Sequence, residues 1–561
     1  MDLLLHILRF KVWIFLKRSL ELRKETVVKH ASSVLVFGAF TVGAFLIARM
    51  TTAYLLDTAR LGLFLLHRFL SMSLFVFFLS INVGNIIVSY AIFYRSQETA
   101  HLLTKPVPFG TLTLVKFFEN FFYSSTTLFL IAIAVLFGYG SYFHMTWAFY
   151  VQSLLLMFIP FMLLGGCIAV ITLMVLMRAA RRIGVWKVLV GLIFIYLGTL
   201  FVFFETTNPV KLVTAVTQNY PNVDEYFGYL DPAFVKYLPN HWIAESLYWT
   251  MRGDPTYAMS YTIILVVSTV LVFWLMIYLG KKLFYPSWLD SLELRPSSEV
   301  RRSLFSSLSL TRPARLHPHA SALLKKEFWL FVREPSQWIH LAIISVLIAT
   351  FVVSVSNIDI KHTFSYVQTA SYMVVLLFNA FLVASIALRF VYPMMSLEGP
   401  NFWSVLSAPV SRATAYWMKF IFTFIPILLV SESLGFFSHY PLRQYPLLAE
   451  MAMVVLACAS FALVGLNLGG GSYFVNYREK NPIRAASSQG ATLTFLMSLL
   501  YLTFLVSVLF IPLDHYFEHI IRNAPFSSVP LLVSLSIIVV ASAAVGVGSL
   551  KIGLRALAKD Y

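Results

Sequence analysis

Long apolar runs separated by short polar segments dominate this chain. A helix that crosses a bilayer needs about 20 mostly apolar residues, and the chain offers twelve such runs. The pattern therefore predicts an all-α integral membrane protein with twelve transmembrane helices, six in each half. The runs lie near 31–49, 69–93, 112–138, 147–177, 185–204 and 258–280, and then near 337–356, 366–392, 414–437, 447–474, 491–511 and 528–549.

Composition supports this class. Of the 561 residues, 59% are apolar and only 12% are charged, whereas an ordinary soluble domain is about 25% charged. The net charge of +17 is spread between the apolar runs, which argues against a nucleic-acid partner. Lys and Arg gather on the side of the predicted membrane that holds both termini, so we expect cytoplasmic termini in a bacterial plasma (inner) membrane.

The polar, Ser- and Pro-rich stretch after the sixth run divides the chain. We predict a first transmembrane domain over 1–280 and a cytoplasmic linker over 281–320. A second transmembrane domain over 321–561 follows. Basic and aromatic residues alternate before the first span of each domain, and this pattern predicts interfacial elbow helices at 1–24 and 321–335.

Three features recur in the same order in both halves, which predicts a parallel repeat. The fourth spans share Leu164-Gly165-Gly166 and Leu468-Gly469-Gly470, where small residues permit close helix packing. The loops between the second and third spans resemble one another. The elbow helices match in spacing, with Arg9, Trp13, Phe15 and Lys17 in the first copy and Lys325, Trp329, Phe331 and Arg333 in the second.

Each of these loops carries a glutamate, a Pro-Val pair and a lysine ten residues after the proline. One loop alone would be interpreted as an ordinary interfacial turn. Two copies at equivalent positions favour a docking surface for a cytoplasmic partner. The residues assigned to this surface are Glu98, Leu102, Leu103, Pro106, Val107 and Lys116 in the first loop, and Glu398, Leu406, Pro409, Val410, Arg412 and Lys419 in the second.

With these motifs the chain resembles an ABC transporter permease of the type-two exporter superfamily, with both six-span halves fused in one chain. Shorter likenesses at 238–242 and 479–482 extend along the chain. The resemblance implies an elbow helix before each half and a coupling helix between spans two and three that presses on an ATPase. It therefore implies a separate cytoplasmic ATPase subunit in two copies, and an exported substrate of unknown identity.

Nucleotide binding by the chain itself is not expected from its motifs. No Gly-x4-Gly-Lys-Ser/Thr occurs, and no cytoplasmic segment reaches ordinary domain size. We therefore predict a transport subunit without its own ATPase site. It would bind no cofactor, while ATP and magnesium would sit on the partner subunit. Membrane lipids are the other expected partner.

A twelve-span secondary transporter driven by an ion gradient is the alternative. Polar groups within the predicted spans are few, and Asn82 and Asn85 are expected to form interhelical hydrogen bonds. Glu432 is interpreted as a helix-end residue. His515 and His519 are four residues apart but are interpreted as interfacial polar residues, so we assign neither a metal site nor a catalytic one.

Overall fold

The computed structural model describes most of the chain, and all secondary structure in the described part is helical. The all-α prediction is therefore confirmed there. The chain divides into two compact units, one of Met1–Thr26 with Val34–Arg301 and one of Val27–Ser33 with Arg302–Tyr561. The described residues are 6, 9–11, 13, 24–58, 62–208, 212, 226–293, 318–333, 337, 340–341, 344–345, 347–349, 351–352, 365–439, 446–477, 482–486, 488–522, 525 and 527–559.

Proline and glycine mark several helix boundaries in the first unit. Pro239 and Pro255 begin helices, because a first-turn residue needs no N–H donor. Gly184 separates two helices with a φ of +96°, which a side chain would disfavour. The helices are α1 (Lys24–Ala53), α2 (Gly62–Ser89), α3 (Gln97–Leu103), α4 (Phe109–Tyr142), α5 (Trp147–Ser153), α6 (Ile159–Ile183), α7 (Val185–Thr207), α8 (Pro239–Arg252) and α9 (Pro255–Glu293).

The second unit also consists of long apolar helices and short connecting ones. A π-helical turn at Ala387–Val391 follows the helix Ser365–Ile386. In the first unit, a π-helical turn at Tyr90–Tyr94 follows α2 in the same way. The helices are α10 (Pro318–Arg333), α11 (Ser365–Ile386), α12 (Met394–Leu397), α13 (Trp403–Leu406), α14 (Arg412–Ser438), α15 (Pro446–Tyr473), α16 (Pro482–Ala486), α17 (Gln489–Arg522) and α18 (Val529–Lys559).

Among the described residues, ten helical segments are long and apolar enough to cross a membrane. Helix α4, which bends by 51° between Thr126 and Leu128, would make an eleventh. These helices are those of a multi-pass membrane protein. The predicted run at 337–356 falls on residues that are only partly described, so the count of twelve stays a prediction. Helix α9 continues to Glu293, so the first part of the predicted linker is helical.

The glycine pair in the fourth span of the second unit lets helices approach closely, as its sequence predicts. A Cβ on Gly469 would lie 2.2 Å from the backbone oxygen of Ser549 on α18. One on Gly470 would lie 2.3 Å from the hydroxyl of Thr494 on α17. In the first unit, a Cβ on Gly165 would lie 3.0 Å from Ile81. Helices therefore approach more closely at this glycine pair than at Gly165.

We predict that Gly469→Ala destabilises the protein by about 1–3 kcal/mol, because the added methyl meets backbone that cannot rotate away. Gly548→Ala, on the facing helix, is the matched control, since no atom lies within 4 Å of its added Cβ. Thermal unfolding of the two purified variants in one detergent checks this. Equal melting temperatures would contradict close packing at Gly469.

Candidate functional site: two lysine–glutamate clusters

The first loop folds as its amphipathic pattern indicates. Helix α3 is followed by a turn through Pro106, and α4 begins at Phe109. Leu102, Leu103 and Val107 pack against the apolar core of the unit, while Pro106 is exposed. The loop is thus anchored by its leucines and presents its proline outward.

Glu98, in the first turn of α3, belongs to a four-residue ionic cluster, here called cluster 1 (Lys11, Glu98, Lys116 and Glu119). The Lys116 ammonium is fully buried and lies 2.9 Å from Glu98 Oε2 and 3.0 Å from Glu119 Oε2. The Lys11 ammonium lies 2.8 Å from Glu98 Oε1 and 2.7 Å from Glu119 Oε2. Two cations and two carboxylates thus join the N-terminal segment, the loop and α4.

The second loop uses a different local structure. Helix α12 gives way to a 3₁₀ turn at Gly399–Phe402 and then to α13. Gly399 has a φ of +60°, a conformation that favours glycine. The side chain of Ser411 caps α14 by accepting a 3.0 Å hydrogen bond from the Thr414 N–H. Pro409 and Arg412 are exposed and Val410 is half-buried.

Glu398 lies in an equivalent cluster, here called cluster 2 (Lys326, Glu327, Glu398 and Lys419). Lys419 lies 2.6 Å from Glu327 Oε1 and also contacts Glu398 Oε1. Lys326, from α10, contacts Glu398 as well. The second loop is therefore also joined to the preceding helix and to the span that follows it.

The clusters share their plan but differ in exposure. In each, a lysine from the elbow segment and a lysine from the following span hold the loop glutamate. The fourth member differs, being Glu119 on α4 in cluster 1 and Glu327 on α10 in cluster 2. The Glu98 side chain is 45% exposed, whereas that of Glu398 is 3% exposed. The loop glutamate of cluster 1 is therefore open to solvent, whereas that of cluster 2 is buried.

For Glu98 and Glu398, the neighbouring lysines lower the pKa by more than burial raises it. Burial raises the pKa of Glu98, but hydrogen bonds from Lys11 and Lys116 lower that pKa below the ordinary 4.5. Burial opposes ionisation of Glu398 too, and the charges of Lys419 and Lys326 lower its pKa overall. The stabilisation from these ionised carboxylates is present above about pH 4.5 and is lost as pH falls through each lowered pKa.

The elbow residues are only partly brought to these clusters. Helix α10 carries Lys325, Trp329 and Phe331, beside the Lys326 and Glu327 that enter cluster 2. Trp13 is 58% exposed. Arg9 is exposed too, whereas Phe15 and Lys17 lie outside the described residues, as do the side chains of Arg333 and Leu406.

Sequence reasoning missed four cluster members, Lys11, Lys326, Glu119 and Glu327. The elbow alignment pairs Arg9 with Lys325, but the structure uses the lysines at 11 and 326 in equivalent roles. The available signal was electrostatic. A lysine at the start of an apolar span needs acidic partners, and Glu119 lies one helical turn after Lys116.

The predicted interhelical hydrogen bonds of the asparagines are confirmed. Asn82 Nδ2 donates to the Gly165 carbonyl at 3.0 Å. Asn85 Oδ1 accepts from Asn120 at 2.8 Å and from Ser124 at 2.7 Å. Helix α14 continues past Glu432 to Ser438, so this glutamate lies before the helix end.

A family model described as "Putative ATP-binding cassette" matches residues 23–560. No curated protein and no solved structure matches this chain. The matched range begins one residue before α1 and ends one residue after α18, so it covers the helices of both units. The predicted relation to ABC proteins is thus confirmed at the level of the family. The match does not identify a type-two exporter permease.

This finding corrects several predictions. The chain is not a transport subunit without an ATPase site, because the family is an ATP-binding cassette. The prediction that ATP and magnesium sit only on a partner is wrong for the same reason. A separate ATPase subunit is not supported, nor is a secondary transporter. The absence of Gly-x4-Gly-Lys-Ser/Thr led to the wrong prediction because this motif describes only one local phosphate-binding pattern. The family match instead uses residues along the whole chain.

We predict that Glu398→Gln destabilises the protein by on the order of 3 kcal/mol, because it leaves buried Lys419 with one carboxylate instead of two. Glu98→Gln is the matched variant in cluster 1. It also leaves a buried lysine, Lys116, with one carboxylate, but water reaches the 45% exposed position 98 and solvates that side, so its effect should stay within about 1 kcal/mol. Thermal unfolding in detergent at pH 7 ranks the two. Equal losses would show that the difference in exposure has no energetic consequence.

Proposed function

Since the chain belongs to this ATP-binding cassette family, we propose that it is an ATP-driven transport protein that carries its membrane spans and its nucleotide-dependent step in one polypeptide. The observation that carries the proposal is the extent of the match. It runs over residues 23–560 and therefore includes the helices long and apolar enough to cross a membrane. Nucleotide would bias the spans between two states, each with a different affinity for ATP.

The nucleotide-contacting residues would differ from those of a phosphate loop. The chain contains no Gly-x4-Gly-Lys-Ser/Thr, so a cradle of backbone N–H groups followed by that lysine is not the means of binding. A direct test of binding therefore has to come before any mutagenesis of a nucleotide site.

The loops of clusters 1 and 2 are the proposed coupling elements. Each loop is joined through two lysines to the preceding segment and to the following span. A displacement of either loop would therefore pull on a span directly. Pro106 and Pro409 are exposed in the two loops. Their exposure supports a role as the points at which the nucleotide-binding part of the protein contacts the loops.

The direction of transport and the orientation are proposed on sequence grounds. Basic residues concentrate on the side of the two clusters and the termini, which supports a cytoplasmic position for both. The family resemblance of the elbow and loop motifs supports export. The corresponding cell membrane is the bacterial inner membrane.

We predict that the purified chain takes up a photoreactive azido-ATP in a magnesium-dependent manner and that excess unlabelled ATP displaces it. The experiment uses the full chain in lipid nanodiscs, with a second sample heated before illumination as the control. Labelling that equals that of the heated sample would place the nucleotide site outside this chain and overturn the ATP part of the proposal.

The coupling role predicts a charge-swap rescue in cluster 1. Lys11→Glu and Glu98→Lys each place like charges together, and the double variant still leaves like charges facing Glu119 and Lys116. Only the quadruple variant that also carries Lys116→Glu and Glu119→Lys restores opposite charges at all four contacts. We expect hydrogen exchange in α3 to respond to Mg-ATP in the native chain, to lose that response in the single and double variants, and to recover it in the quadruple variant.

Melting temperatures provide the control for this cycle, because Lys11 and Glu98 are both partly exposed and the single variants should fold. A response to Mg-ATP that persists in the single variants, or that fails to return in a folded quadruple variant, would show that cluster 1 does not couple.

A further inference from the structure

Arg68 is a buried cation whose hydrogen-bonding capacity is not used up. It lies near the start of α2, and its side chain is 5% exposed. Its Nη2 lies 2.7 Å from Asp231 Oδ2 and also contacts Glu245 Oε1. Its Nε and Nη1 have no hydrogen-bond partner. A buried guanidinium with two unused donor nitrogens points to an acceptor that completes the site.

Both carboxylate oxygens of Glu245 already have hydrogen-bond partners. Glu245 Oε2 accepts from Trp249 Nε1 at 2.9 Å and from the Tyr226 hydroxyl at 3.2 Å. Asp231, His241 and Glu245 lie close enough together to hold a metal ion. Arg68 already supplies positive charge to both of these carboxylates, so a metal ion would face a neighbouring cation. The unused groups on Arg68 are donors, and they call for an oxygen atom.

Two cavities with a common wall residue describe the shape of the missing group. A small cavity of about 20 Å³, with a mainly apolar wall, borders Arg68 and Asp231, roughly the room one water-sized atom group needs. An open, apolar cavity of about 390 Å³ is lined by Gly198 and Val202 of α7 and by Phe75 of α2. Phe203 lines both. The shape fits an amphiphile with a long apolar part and a single small acceptor.

The depth of the site specifies the amphiphile further. Arg68 lies six residues after Gly62, where the span Gly62–Tyr94 begins, so it sits about 9 Å along the helix from that end. The headgroup and interfacial layer is about 5–8 Å thick on each side of the hydrocarbon core. With Gly62 placed at the outer edge of that layer, Arg68 lies near the boundary between the two, which is the depth of the ester groups of membrane glycerolipids.

We propose that this site binds a membrane glycerolipid, with an ester carbonyl accepting hydrogen bonds from Arg68 and an acyl chain lying in the apolar cavity. A phosphate group is larger than the small cavity, and a further negative charge would be repelled by Asp231 and Glu245. The uncharged ester carbonyl meets both constraints. The site lies within the first unit and does not depend on the ATP-driven role proposed above.

Two lipids that differ only in the acceptor test this site. The delipidated full chain is offered an equimolar mixture of a diester phosphatidylcholine and its diether analogue with equal chains. Native mass spectrometry then counts the lipids that remain bound. We expect the diester to be retained about tenfold over the diether, since the diether keeps the apolar body and headgroup but lacks the carbonyl acceptor.

Gly198→Leu supplies the second arm, because it fills the apolar cavity from a position with no atom within 4 Å of its added Cβ. Gly191→Leu is the matched control, with equally open surroundings two helical turns earlier on the same face of α7. We expect Gly198→Leu to abolish the diester preference and Gly191→Leu to keep it, both with native melting temperatures.

Equal retention of the two lipids by the native chain would overturn the proposal and leave water as the partner of Arg68. A diester preference that survives in folded Gly198→Leu would also overturn it, because the acyl chain would then lie elsewhere.

Discussion

A charge that leaves water must find an opposite charge, and this constraint organises the polar part of the protein. Only 12% of the residues are charged, and several of those at the span ends are buried. Lys116 and Lys419 each meet two carboxylates, and Arg68 does too. An unpaired charge at such positions would cost several kcal/mol. Each pairing therefore fixes a segment that hydropathy alone leaves free.

The two clusters share one plan but differ in exposure. In cluster 2, Glu327, Glu398 and Lys419 are each below 5% exposure and Lys326 is 30% exposed, so its buried contacts are screened little by salt. The loop glutamate of cluster 1 is open to solvent, so its contacts are weaker and easily exchanged. A coupling joint that must move is better built like cluster 1, and a joint that must hold is better built like cluster 2.

Short motifs and whole-chain similarity gave different answers on ATP. The absence of Gly-x4-Gly-Lys-Ser/Thr predicts a chain that leaves nucleotide to a partner, whereas the family match over residues 23–560 assigns an ATP-binding cassette to the chain itself. A motif reports one local phosphate-binding geometry. A family match reports agreement summed over many positions, none of which needs to carry a recognisable motif.

The sequence by itself determined the membrane class, the positions of most apolar helices and the repeated loop with its glutamate, proline and lysine. These features depend on hydropathy and spacing along a continuous stretch, and both can be read locally. Only the tertiary structure decided that Lys11 and Lys326 hold the loop glutamates, or that Arg68 meets Asp231 and Glu245. Lys326 and Glu398 are 72 residues apart in the sequence, and Arg68 and Glu245 are 177 residues apart. Helix packing, and not the local pattern, brings such distant charges together, because many lysines and glutamates could have served equally well by chemistry alone.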